Sequence, residues 1–99
     1  MLHIVWEFHP KPERSVEFER VYGNAGDWAA LFSKSPHYHQ TILTRDLEVP
    51  GRYLLTDIWE DRASFDEFKK KFHEEYDHLD RECESLTVKE IRIGEFELL

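Results

Sequence analysis

The amino-acid sequence predicts one α+β domain over residues 1–99, of the ferredoxin-like βαββαβ plan with helices on one face of an antiparallel sheet. Three observations carry that prediction. Residues 2 to 8 alternate, with Leu2, Ile4, Trp6 and Phe8 on one side and His3, Val5 and Glu7 on the other, the two-residue period of a strand. Two later apolar runs are joined by Val49-Pro50-Gly51-Arg52, whose Pro and Gly fall in the central places of a type II turn. Phe65, Phe68, Phe72, Tyr76, Leu79 and Cys83 recur at three- or four-residue intervals, the stripe of an amphipathic helix.

The elements follow in order. "HPKPE" ends the first strand, because Pro10 and Pro12 cannot continue a ladder, and Pro12 suits the first turn of a helix. From Glu13 to about Tyr22 a polar run carries Phe18, Val21 and Tyr22 at helical spacing, and Gly23-Asn24-Ala25-Gly26 stops it. Asp27 has the chemistry of an N-cap for a short helix, Trp28 to Phe32, which Ser35-Pro36 closes. The second strand is expected from about His37 to Asp46 and the third from Tyr53 to Glu60, a hairpin about the type II turn. Asp61 caps the long helix, which runs unbroken because no Gly, Pro or Ser interrupts its second half. Asp66 with Lys70, and Glu67 with Lys71, add i,i+4 pairs on its outer side. A last strand, about Leu86 to Phe96, completes the order.

The composition excludes several functions. A net charge of -8, with the 13 Lys and Arg scattered, repels a phosphate backbone and an anionic membrane surface, so neither nucleic acid nor membrane is expected as a partner. The single cysteine, Cys83, sits between Glu82 and Glu84, which disfavours a thiolate, and reads as packing. The amino-terminal residues lack a basic segment and a secretory apolar core, which points to the cytoplasm.

The first and last strands carry apolar residues on both sides: Val5 opposite Trp6, and Val88 opposite Ile91 and Ile93. Tyr53, Leu54 and Leu55 stand in a row in the third. A sheet with one wet face alternates more cleanly, so the free face is expected to meet a second copy and form a homodimer.

With those elements in place, the chain resembles the antibiotic-biosynthesis-monooxygenase-like superfamily of dimeric α/β barrels. "IWEDRASFDEF" has a Trp at the end of a strand, an acidic cap two residues on and an aromatic helix beyond, here Trp59, Asp61 and Phe65. "TILTRD" (41–46) is similar to the second strand of that superfamily. The resemblance implies a barrel formed by two copies and an oxidoreductase activity of the monooxygenase type. One branch oxidises polycyclic phenols without metal or flavin, using an apolar pocket, a base that makes an electron-rich phenolate, and room for dioxygen. A haem-degrading branch places its ligand at His78, but Phe68 stands where it has Trp, and the only Asn is Asn24, outside the first strand. Haem degradation is therefore the third reading.

His37 and His39, two apart on the expected strand, would share a face and are the candidate catalytic bases. As metal ligands they would need a third; His73, Asp77 and Glu7 are available, but no spacing selects one, so no metal or other cofactor is expected. Trp28 and Phe32, on a short segment between Gly26 and Pro36, are placed to lid a cavity. Tyr38, Trp59, Phe68 and Phe72 complete the expected ligand pocket, with Phe68 and Phe72 as its floor. Its occupant would be a small aromatic or hydrophobic molecule. Two readings stay open, a cofactor-independent monooxygenase and a non-catalytic binding module; only the first needs a base facing the cavity.

Overall fold

The computed structural model describes residues Met1–Leu99. Four strands form one antiparallel sheet: β1 (Leu2–Pro10), β2 (Tyr38–Arg45), β3 (Tyr53–Trp59) and β4 (Thr87–Glu97), in the order β2-β3-β1-β4. Between them lie α1 (Ser15–Tyr22), α2 (Asp27–Phe32), α3 (Arg62–Lys71) and α4 (His73–Cys83), with single 3₁₀ turns at Pro12–Arg14 and Glu84–Leu86. This is the ferredoxin-like arrangement.

Strand pleating sets the two faces. Leu2, Ile4, Trp6 and Phe8 stand opposite Trp59, Asp57, Leu55 and Tyr53, and this side carries the helices. Its core is largely aromatic: Phe8, Phe18, Tyr22, Trp28, Phe32, Trp59 and Phe68 are all buried. Trp59 packs its ring against Phe32, Phe65 and Phe68 at 5.2–5.4 Å between centroids. The apolar stripe of the helices thus serves mainly as core.

Five local expectations are corrected. The long helix is broken at Phe72, which leaves helical geometry at φ -114°, ψ 29° although no Gly or Pro stands there. The break divides its packing, so that α3 lies against β3 and α4 against α2. Asp61 is the cap expected of it, accepting from the Ser64 backbone N–H at 2.8 Å, but Asp27 caps nothing: Gly26 holds the cap position of α2. β1 continues to Pro10, pairing with Thr87, because β3 has already ended opposite Phe8 and proline's missing N–H interrupts no second ladder. β2 begins at Tyr38, after His37, and a bulge at His39 shifts its register. Two more bulges, at Val88 and Ile93, break the alternation of β4, leaving Ile91 opposite Glu7 on the free face.

The turn at Val49–Arg52 forms as expected, with Gly51 at φ 79° and the Arg52 N–H donating to Val49. No helix is long and apolar enough to cross a membrane.

Candidate active site

The helices cover β1, β2 and β3 but leave the inner side of β4 open, and a cleft of about 490 Å³ lies there. Trp6, Phe8 and Leu55 form its floor; Tyr22, Trp28 and Phe32 form one wall and Tyr76 of α4 another. The rings run on from one another, with Tyr22–Trp28 centroids at 6.2 Å and Trp28–Tyr76 at 5.1 Å. Such a slot suits a flat apolar ligand.

The polar groups fall into two sets. Lys69, Asp80, Glu90 and Arg92 line the cleft beside β4, and Lys69 Nζ stands 4.9 Å from the centre of the Tyr76 ring. Burial raises the Asp80 and Glu90 carboxyls above the usual carboxylate range, and neighbouring acids add to it. Burial likewise pushes the phenols of Tyr22 and Tyr76 up, the latter to about 12.

Deeper in is Asp57, on the helix face of β3 and 8% exposed. Its one hydrogen bond comes from the Thr41 hydroxyl, which donates to Oδ1 at 2.7 Å. Burial pushes its pKa up to about 6, and the Thr41 bond offsets only part of that shift. A carboxyl with its proton affinity raised in this way, still mostly ionised at neutrality in an aromatic cleft, can take a proton from a bound ligand and release it again. Behind it the Tyr38 hydroxyl lies 2.7 Å from Thr41 Oγ1.

Trp28 and Phe32 line this cleft. The other four expected pocket residues do not: Trp59 and Phe68 are core, Tyr38 packs on Phe32 and Trp59 behind Asp57, and Phe72 faces a separate groove. The expected floor of Phe68 and Phe72 is replaced by Trp6, Phe8 and Leu55 because the cavity opens toward β4. His37 borders the Phe72 groove, and its Nδ1 lies 2.8 Å from Glu60 Oε2, which raises the imidazole's pKa. His39 is exposed at the bulge, and neither imidazole lines the cleft.

No three His, Cys, Asp or Glu side chains come together so as to hold a metal ion. His9 pairs with Glu7 at 2.6 Å. His78 stays exposed and pairs with Glu82, for the break at Phe72 does not turn it inward. The residues expected for haem therefore do not meet.

A family model described as antibiotic biosynthesis monooxygenase matches residues 1–78. Three solved structures are similar over nearly their whole length. SnoaB, a cofactor-independent oxygenase from Streptomyces nogalater, is 21% identical with a TM-score of 0.68, covering 99% of this chain and 92% of that one. A protein from Pseudomonas aeruginosa is 17% identical, TM-score 0.68, with 99% and 93% covered. A conserved protein from Methanosarcina mazei Go1 is 18% identical, TM-score 0.71, with 99% and 92% covered. At these identities the likeness is one of fold. No curated protein matches the sequence.

Proposed function

The chain belongs to the antibiotic biosynthesis monooxygenase family, and from that premise we propose that its cleft oxidises a small hydroxylated aromatic with dioxygen, without metal or flavin, using Asp57 as general base. The observation that carries this reading is a buried carboxyl with raised proton affinity at the inner end of an aromatic slot. A structural neighbour that is a cofactor-independent oxygenase supports the reaction type.

The chemistry runs in balanced steps. Asp57 takes the acidic proton of the substrate, and the resulting electron-rich anion reduces dioxygen at an activated carbon that still bears hydrogen. A carbon–oxygen bond forms, and the peroxide anion takes the first proton back from Asp57 to become a hydroperoxide. Removal of the remaining C–H proton, with departure of hydroxide, leaves a carbonyl. One dioxygen is thus consumed, one oxygen atom entering the product and the other leaving in water. The substrate supplies all the electrons. The desolvated site favours the step, since an apolar ring slot stabilises a delocalised anion better than a localised carboxylate.

The test is dioxygen uptake with a panel of phenols, naphthols and anthrones, no metal or flavin added. Stoichiometric uptake is expected from at least one, and Asp57→Asn should slow it by about a hundredfold or more, the usual share of a general base. His37→Ala and His39→Ala, outside the cleft, should leave turnover near the parent value. Quenching of Trp28 fluorescence without oxygen uptake across the panel would overturn the enzymatic reading in favour of a binding module.

We propose, too, that the chain works as a homodimer joined through the free face of its sheet. That face carries Val5, Ile42, Leu54, Ile58, Ile91 and Phe96 on neighbouring strands.

A further inference from the structure

The second proton, taken from the reacting carbon as hydroxide departs, leaves Asp57 protonated while the product still blocks the slot. Asp57 has a route that does not pass through the cleft. Thr41, 1% exposed, stands between two spaces: its hydroxyl bonds to Asp57, and it backs an outer groove of about 630 Å³ that it shares with Glu19, Gln40 and Arg45. Its oxygen is also 2.7 Å from the hydroxyl of half-buried Tyr38.

Resting on the assignment of Asp57 as the base, we propose that Thr41 and Tyr38 are its positioning residues and its proton outlet, a wire of two hydrogen bonds leading away from the cleft. Thr41 has a single hydroxyl proton. With Asp57 ionised, that proton is committed to Oδ1, so the bond at Oγ1 must be donated by Tyr38. Once Asp57 is protonated, a turn of its carboxyl brings the new O–H to Thr41 and the wire can reverse: Asp57 donates to Thr41, Thr41 donates to Tyr38, and the Tyr38 proton passes to solvent. Each oxygen gives up one proton and gains one, and the carboxylate is restored. Holding Oδ1 also leaves Oδ2, without a hydrogen-bond partner in the protein, to meet the ligand.

The register of the sheet supports a built arrangement. Simple alternation from Tyr38 would bring Gln40 to the helix face. The bulge at His39 brings Thr41 there instead, directly opposite Asp57. The other titratable groups around the cleft, Tyr22 from α1, Lys69 from α3, Tyr76 and Asp80 from α4, and Glu90 and Arg92 from β4, make no hydrogen bond to Asp57. Loss of the Thr41 hydroxyl should therefore be visible in the titration of Asp57 itself.

The experiment follows the Asp57 carboxyl by carbon-13 NMR across pH in the parent, Thr41→Val, Thr41→Ser and Tyr38→Phe, beside the pH profile of dioxygen uptake. Thr41→Val should raise the Asp57 midpoint, and with it the acid limb of the profile, by about one pH unit, the tenfold change in proton affinity that a lost hydrogen bond to a charged group brings. Thr41→Ser, which keeps the hydroxyl, should titrate like the parent. Tyr38→Phe should lower kcat while leaving KM unchanged, because it interrupts proton release and not binding. An unchanged midpoint in Thr41→Val, a Thr41→Ser that behaves like Thr41→Val, or full kcat in Tyr38→Phe would each overturn the proposal. Should Thr41→Val fail to fold, Tyr38→Phe carries the test, since it leaves Thr41 in place. A parent protein that consumes no oxygen removes the proposed reaction and the outlet together, while the NMR midpoints still decide the positioning role.

Discussion

Asp57 sits on a sheet face otherwise made by Tyr53, Leu55 and Trp59, where an ionised group loses its hydration and gains one hydrogen bond. The folded protein therefore holds the Asp57 proton more tightly than the unfolded chain does, with a pKa of about 6 in place of the ordinary carboxylate value. The sign follows by linkage: this contribution is fully present below the unfolded carboxylate pKa, is lost as pH rises through about 6, and amounts to about 3 kcal/mol. Asp57→Asn, of the same shape and without a charge to desolvate, should stabilise the protein at pH 8 by about 1–3 kcal/mol and do little at pH 4, while removing turnover. Denaturant titrations at the two pH values measure this, and an equal effect at both would sink it. This acid was not among the residues expected at the site, although plain alternation in "YLLTDIW" puts it on the same side as Tyr53, Leu55 and Trp59. That Thr41 faces it was not visible, because the bulge at His39 sets the pairing of β2, and nothing in the residues on either side announces it.

At the level of elements, periodicity located every strand to within a few residues but read α3 and α4 as one helix, and failures came where packing overrode local preference. Phe72 ends α3 and opens α4 with no breaking residue, its backbone N–H still donating to Phe68 and its ring 5.1 Å from that of Phe68. Capping can be tested by contrast. Asp61 accepts from both the backbone N–H and the hydroxyl of Ser64, whereas Asp27 makes no cap bond and pairs with Arg20 at 3.6 Å on the surface. Asp61→Ala should therefore cost about 1 kcal/mol and Asp27→Ala no more than a few tenths. Urea midpoints for the two variants check this, and similar losses in both would remove the distinction.

For the whole molecule the decisive feature is the uncovered side of the sheet. Leu54 is 43% exposed, Ile42 40% and Phe96 50%, on adjacent or nearby strands of one surface. His3, between Ile58 and Phe96 in register, has a buried Nε2 without a hydrogen-bond partner in the chain. Exposed apolar side chains of this kind, interspersed with Thr44, Glu7 and Thr56, are stabilised by burial, and a second copy offers a matching surface by two-fold symmetry. Each copy carries a net charge of -8, so the two repel at long range and only apolar contact can hold them together. Salt should then tighten the pair by screening that repulsion, the reverse of an interface held by ion pairs. Sedimentation equilibrium at micromolar concentration should give twice the 12.0 kDa of one chain, with the dissociation constant falling as salt is raised. Leu54→Lys, which sets a charge on this face between Thr44 and Glu7, should yield a folded 12.0 kDa species. A parent protein that runs only at 12.0 kDa would refute the dimer, and a Leu54→Lys variant that still pairs would move the interface to another surface.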